Sequence, residues 1–435
     1  MKKSWLFSYI TIFSFLIFAH SEMFALSLTD ASESLSAAFE GLVDDNEGTT
    51  SFPSLLIPNG GRAESLGGAY TGYAYDVSFM NYNPAASSLQ QETQFSIFHN
   101  SWIADSKMET IAYTTRFKNL GFGTQFQCFY LPFTEYNFIG ERAAGSYYSE
   151  TFLNLNVSYN FLAGYDFKGI AVGGNLKTGW RGMPDYTDKN TNALIANSGL
   201  SQSALAIMAD LGIMMQFNLF KILFRSRTPN FKVGLSIQNL GVSITGFGNV
   251  TKIDDPLPTA VCAGFSYTFF PSFTVTADFR QPINLQDITH SQKFSIAAGT
   301  AIDITKNFTL LAGFNLKGAN PKISAGTEFT FQKVCFNFNY TLDLASSINP
   351  INRISLSAKI NLGDRGRSQN LSKIDELYTR GLVFYYNSDW ENAIATWEEI
   401  LEIDSHYDPA ILGIKSAKSQ MELYKKVKES LFFEE

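Results

Sequence analysis

The sequence predicts a mainly β protein: a 14-stranded transmembrane β-barrel with an N-terminal luminal plug and a small C-terminal α-helical unit. The first observation is alternation over long segments. Leu153, Leu155, Val157, Tyr159 and Phe161 alternate with Asn154, Asn156, Ser158 and Asn160, and Phe336, Phe338 and Tyr340 alternate with Asn337, Asn339 and Thr341. A third run sets Ile354, Leu356, Ala358, Ile360 and Leu362 against Ser355, Ser357, Lys359 and Asn361. A period of two gives a strand one apolar and one polar face. The segments run about 10–14 residues, the length a tilted strand needs to cross a bilayer, against about 5–6 in soluble sheets. The second observation is the polar face itself, which is Asn, Ser, Thr, Gln and Gly, with far less Lys and Glu than a sheet facing water carries.

The third observation is the connections. Fourteen candidate strands lie near 93–103, 108–118, 120–132, 150–162, 168–181, 203–218, 231–243, 258–270, 272–281, 291–303, 306–317, 320–332, 333–343 and 352–363. Five of the six turns after even-numbered strands are tight, the exception being 219–230, while 133–149, 182–202, 243–257 and 282–290 are long. Short turns at one end and long loops at the other form the outer-membrane barrel pattern. An even strand count leaves both barrel ends on the periplasmic side. Trp102 and Trp180 then fall at the outer ends of upward strands, where an aromatic girdle belongs.

The remaining elements follow in chain order. Lys2 and Lys3, an apolar run from Trp5 to Phe18, and Ala19-His20-Ser21 are expected to form a cleaved signal peptide over 1–21. Its apolar run is shorter than the roughly 20 residues of a transmembrane anchor, and no Cys follows it to carry a lipid. A short helix is expected over about 30–43, with Asp30 and Glu33 spaced as cap and box partner and Leu35, Ala38, Phe39 and Leu42 on one face. Residues 22–92 are read as this helix and a luminal hatch, and 93–363 as the barrel. Residues 364–370 are read as a polar linker and 371–435 as a periplasmic helical unit. Gly381, Tyr385, Ala393, Trp397 and Leu401 stand at tetratricopeptide-repeat spacings, with helices expected at 373–386, 390–403 and 409–430. Tyr385, Trp390, Trp397 and Leu401 are expected to form that unit's core or its partner-binding face.

The hatch segment is SLGGAYTGYAYDVSFMNYNPAA, Ser65 to Ala86. It is too apolar for a linker and too irregular for a strand. Fourteen strands enclose a wide lumen, because about eight already pack shut. Irregular backbone inside a lumen can bend without facing lipid. Gly67, Gly68 and Gly72 allow close approach and positive φ, and Tyr70, Tyr73, Tyr75 and Phe79 supply bulk.

Composition excludes several functions. The net charge is −7, becoming −9 once the two signal lysines are removed, which disfavours nucleic acid as a partner. Cys128, Cys262 and Cys335 lie far apart with no CxxC, so neither a redox pair nor a zinc site is expected. His99, His290 and His406 are scattered, and no HExxH, GxSxG or GxxxxGK occurs. Asp278 with Arg280, and Asp185 with Asp188, read as ordinary strand or loop charges. No enzymatic activity, cofactor or metal is expected.

Asn83-Pro84-Ala85 ahead of a fourteen-strand barrel, with Gly61-Arg62-Ala63 and Leu66-Gly67-Gly68-Ala69, resembles the hatch of the long-chain fatty acid transporter family, the FadL-type channels. The resemblance covers about residues 59–363, and the chain looks like an uncharacterised spirochaete group of FadL-like proteins. It implies an outer-membrane channel for passive uptake of hydrophobic small molecules such as long-chain fatty acids. Gly67, Gly68, Gly72, Asn83, Pro84 and Ala85 would form the gating hatch, and loops 182–202 and 243–257 would catch the ligand. Two departures are visible: the lumen faces are polar, and the chain continues past the last strand. The alternatives are a scaffold barrel that docks a periplasmic or surface protein through its tail, and a general porin.

Overall fold

The computed structural model describes residues 40–136, 139–165, 167–188, 191, 193–220, 228–245, 255–344 and 352–431. The expected signal peptide, and the expected N-terminal helix as far as residue 39, lie outside them. Its last residues, Glu40–Leu42, form a 3-10 turn.

Fourteen antiparallel strands close into a barrel in which each strand pairs with its sequence neighbours and the first with the last. They are β1 Gln94–Ser101, β2 Lys107–Phe117, β3 Leu120–Tyr136, β4 Arg142–Phe161, β5 Ile170–Gly182, β6 Ala204–Phe217 and β7 Phe231–Thr245. The second half is β8 Ala260–Phe270, β9 Phe273–Pro282, β10 Ser295–Thr305, β11 Phe308–Lys317, β12 Asn320–Phe331, β13 Val334–Asp343 and β14 Arg353–Asn361. Closure runs from Gln94↔Asn361 to Ser101↔Ile354. The short helices are α1 Gly61–Ser65 and α2 Ser198–Gln202, and the tail holds α3 Arg367–Tyr386, α4 Trp390–Ile403 and α5 Asp408–Leu431.

Alternation sets the two faces. On β4, Leu153, Leu155, Val157, Tyr159 and Phe161 point outward and are exposed, while Asn154, Asn156, Ser158 and Asn160 point inward and are buried. An apolar exterior on a closed barrel is what hydrocarbon requires, since closure leaves no unpaired strand edge. Trp180 on β5 stands outward, as a girdle residue does.

Two expectations need correcting here. Residues 133–149 are not a long loop: β3 and β4 keep pairing out to Glu135↔Ala144 and, past a register shift, to Tyr136↔Arg142. Residues 364–370 are not a linker throughout, since α3 starts at Arg367. Asp364 accepts from Ser368 Oγ and, at 2.7 Å, from Ser368 N, and those bonds hold its carboxyl below the ordinary range. Nor is the tail free of the barrel. Arg365 stacks on Phe117 at 3.8 Å, Arg367 Nη1 donates to Arg116 O at 3.1 Å, and Tyr165 of the β4–β5 turn packs on Tyr407 at 5.1 Å. The tail therefore sits at the barrel end that carries the tight turns, called the near end below. The long connections form the far end.

Candidate functional site

The chain reaches the lumen from the far end. Lys293 N donates to Asp44 Oδ2 at 2.8 Å, Asn46 Nδ2 to Ser291 O at 3.3 Å, and Ser51 N to Pro256 O at 2.9 Å. Residues 40–51 thus lie across the loops of that end. Below them Phe52 packs edge-on against Phe152 at 5.7 Å, and Ser54 donates through N and Oγ to the buried Glu150.

The plug itself occupies the barrel's middle. Its helix α1 ends in a Schellman turn, with Gly68 N donating to Ala63 O and Gly67 N to Glu64 O, both at 2.9 Å. Gly67 sits at φ 67°, the left-handed conformation this cap demands. A 3-10 turn over Val77–Asn81 is capped by Asp76, and another over Pro84–Leu89 by Asn83. Asn83 Oδ1 accepts from Ala85 N at 3.1 Å, and Nδ2 donates to Thr71 O at 3.0 Å and to Ile213 O of β6 at 3.1 Å. Pro84 takes the first helical position, where its missing N–H costs nothing.

Plug and wall meet backbone to backbone. A Cβ on Gly67 would stand 2.7 Å from Phe314 O, and one on Gly72 would stand 2.4 Å from Gly264 O. A Cβ on Gly68 would meet only the Tyr82 ring, at 3.9 Å, so Gly68 makes no such backbone contact. The wall yields in the same way: a Cβ on Gly173 would come within 2.5 Å of Pro84 O, and one on Gly313 within 2.1 Å of Gly67 N. These small residues are in register. Gly121, Ser158, Gly173 and Gly212 are successive partners across β3–β6, and Thr276, Gly299, Gly313 and Ser324 across β9–β12. Only strands whose residues are Gly, Ser or Thr at this level leave room for a second layer of backbone.

Charges fasten what the glycines admit. Arg62 Nε donates to Glu328 Oε2 at 2.7 Å, Lys359 Nζ pairs with Asp76 Oδ2 at 2.8 Å, and Arg353 pairs with Glu64. Asp278 is no ordinary strand charge: its Oδ2 accepts from Tyr70 N at 2.9 Å and Thr71 N at 2.6 Å, holding the plug's turn. Ser87 and Ser158 share a hydrogen bond of 2.6 Å. Neither the Asp278 contact nor the ion pairs carry a local signal, because the partners lie more than 200 residues apart.

Between the plug and the far-end loops lies a cavity of about 200 Å³. Leu55, Leu56, Ile57, Pro58 and Ala297 give it an apolar side. Lys177, Arg280, Lys317, Lys322 and Arg353 face it together with Glu47, Glu64 and Asp278. Lys177 pairs with Asp210 at 2.6 Å, Lys317 with Glu47 at 3.3 Å, Lys322 with Asp343 at 3.4 Å, and Arg353 with Glu64. Arg280 donates to Gln238 Oε1 at 2.9 Å, and its Nη2 has no hydrogen-bond partner.

In the tail, Trp397 is 1% exposed and lies between Gly381 of α3 and Gly413 of α5. Its Nε1 donates to Tyr378 O at 3.4 Å. Tyr385 packs on Trp397 at 5.9 Å, and Leu401 and Trp390 pack against the same cluster, with the Trp390 ring also tilted against Tyr424 of α5 at 5.5 Å. Tyr378, Leu382, Tyr385, Leu412 and Ser416 line a groove between α3 and α5 that Tyr165 of the barrel also borders.

The sequence pattern of an uncharacterised protein family (UPF0164) matches residues 28–365. A UPF0164 protein of Treponema pallidum (strain Nichols) is 28% identical over 394 residues, covering 88% of this chain and 86% of the relative. A second UPF0164 protein of that organism is 27% identical over 390 residues, covering 86% and 76%. Among solved structures, the CymD monoaromatic hydrocarbon channel is similar at 14% identity and TM-score 0.48, covering 71% of this chain and 98% of that one. The Pseudomonas putida toluene transporter TodX is similar at 13% identity and TM-score 0.46, covering 68% and 96%.

Proposed function

This chain belongs to the uncharacterised protein family UPF0164, and we propose that it is an outer-membrane channel for passive uptake of hydrophobic small molecules, gated by its plug. The single observation that carries the reading is the plug. It fills the lumen through backbone contact and buried ion pairs, and a half-apolar cavity lies on its far side. Long-chain fatty acids are the ligand the resemblance implies. Residues 1–21 act as the cleaved signal, 22–92 as the hatch, 93–363 as the barrel and 371–435 as a repeat-like periplasmic unit. The far end then faces the exterior, and outer-membrane lipid surrounds the barrel. Gly67, Gly72, Asn83, Pro84 and Ala85 seat the hatch, and Gly68 shapes the turn after α1.

Two other readings each have an observation in their favour. The ion-paired lining of the cavity favours a porin for polar solutes. The aromatic groove of the tail favours a scaffold that holds a periplasmic protein. Purified protein in liposomes decides between transport readings: a labelled fatty acid should equilibrate faster than in empty liposomes, while a disaccharide should not. Free passage of the disaccharide without acceleration of the fatty acid replaces this reading with the porin.

A further inference from the structure

We propose that the rim where the tail leaves the barrel is a binding site for the headgroup of an anionic phospholipid, held by Arg365 and Lys118. The inference goes beyond the channel reading, since it needs only that the barrel spans a membrane. Depth comes first. Phe117, Phe122, Tyr159 and Phe161 stand outward at the near ends of β2, β3 and β4, 41–49% exposed. Such aromatics mark the border of the apolar belt, so the phosphate layer of the adjoining leaflet lies just beyond them. The residues at that level are Lys118, in the turn after Phe117, and Arg365, whose guanidinium stacks on the Phe117 ring at 3.8 Å.

Charge comes second. Arg116, Lys118, Arg365 and Arg367 meet here, and none of the four forms an ion pair with a described carboxylate. The acids beside them are Glu92 and Asp364, and both are engaged elsewhere: Glu92 accepts from Asn361, and Asp364 from Ser368. Four cations against two acids leave a surplus of positive charge, which draws a net anion to the surface.

Reach comes third. Lys118 and Arg365 are both exposed. Arg365 uses only Nε within the protein, on Thr115 Oγ1 at 3.1 Å, so its two terminal nitrogens have no hydrogen-bond partner among the described residues. A guanidinium laid on an aromatic ring keeps its fork of N–H groups open to a phosphate, and Lys118 adds a point charge. Arg116 and Arg367 are tied to the carbonyls of Lys118 and Gln91 and brace the site. The acyl chains lie along Phe117 and Phe122, whose rings meet edge-on at 6.2 Å. Since Arg365 leads straight into α3, a bound headgroup also ties the tail to the rim.

Native mass spectrometry of the full-length protein in detergent tests this with short-chain phosphatidylglycerol, phosphatidylcholine of the same chain length, and glycerol 3-phosphate. Phosphatidylglycerol should bind about tenfold more tightly than phosphatidylcholine, and glycerol 3-phosphate should not displace it. Arg365→Gln with Lys118→Gln should abolish the preference, while Lys333→Gln, in the β12–β13 turn of the same rim, should keep it. Unchanged heat-dependent gel migration checks that each variant barrel is folded. If the double variant is not, Arg365→Gln alone, beyond the last strand, should still cut the preference severalfold. Equal binding of the two lipids to the unaltered protein, or a preference that survives loss of Arg365, overturns the proposal. Displacement by glycerol 3-phosphate would assign the site to a free phosphate ester and overturn the lipid.

Discussion

Plug and tail use glycine in opposite ways. In the plug, Gly67 and Gly72 face wall glycines and carbonyls so that two backbones touch with no side chain between them. In the tail, Gly381 and Gly413 open a slot for the largest side chain available, Trp397, whose ring atoms stand 2.2 and 2.8 Å from where their Cβ atoms would be. The tail is thus a side-chain core, held by apolar burial. The plug has an apolar cluster as well, in which Leu66, Val77, Phe79 and Met80 lie with Phe98, Met214 and Leu311 of the wall, but it adds backbone fit, hydrogen bonds and buried ion pairs such as Asp76–Lys359. Apolar burial is non-directional and tolerates repacking, whereas a fitted polar contact has one good geometry. A region built the second way suits an element with two discrete positions.

That contrast breaks most easily at the tail. Trp397→Ala should cost about 3–5 kcal/mol, enough to unfold a unit smaller than the domains that about 5–15 kcal/mol holds together. Limited proteolysis should then cut α3–α5 while the barrel keeps its heat-dependent migration. Survival of an intact tail would mean that docking at Tyr165 and Arg367, and not its own core, holds it.

Lys359→Met should act on the plug at nearly that scale. It leaves Asp76, 4% exposed, as an unpaired buried charge, at about 3–5 kcal/mol. Asp76 also accepts from Ser78 N and Tyr70 OH, so the loss should spread through the plug and appear as noisy current in planar bilayers. Adding Asp76→Asn should restore part of the quiet state, and a silent single variant would show that the pair is not a latch.

Gly173→Leu sharpens the comparison further. Its side chain would enter the space of Pro84 and Ala85, an overpacking worth about 1–3 kcal/mol, and should raise conductance by shifting the plug. Gly174→Leu, one residue along on the outward face, should leave conductance unchanged. Equal effects from the two would refute the fitted seat.

What was legible in the sequence follows the same division. The strands could be read because their apolar and polar residues alternate locally, as at 153–161, and the resulting barrel is closed with fourteen strands. The relatives found are Treponema proteins of an uncharacterised family, in line with the spirochaete group the sequence resembles. The site was less legible. In isolation Gly173, Gly212 and Gly313 read as weak strand residues, and only the register shows that they form rows against the plug. Asp278 and Arg280 read as ordinary strand charges, because nothing near them in sequence announces Tyr70, Thr71 or the cavity. Residues 133–149 read as a loop in the sequence because Tyr136 and Tyr147 continue the strand pattern beyond the expected membrane length.

The central claim is that the plug must move for solute to pass, and one lock tests it. Ser87→Cys with Ser158→Cys, in a chain whose Cys128, Cys262 and Cys335 are replaced by Ala, puts two thiols where the hydroxyl oxygens now stand 2.6 Å apart. Once the disulfide is confirmed by mass, liposome uptake of a labelled fatty acid should fall to the rate of empty liposomes and recover on reduction. Uptake that is the same in the oxidised and reduced protein would contradict the account.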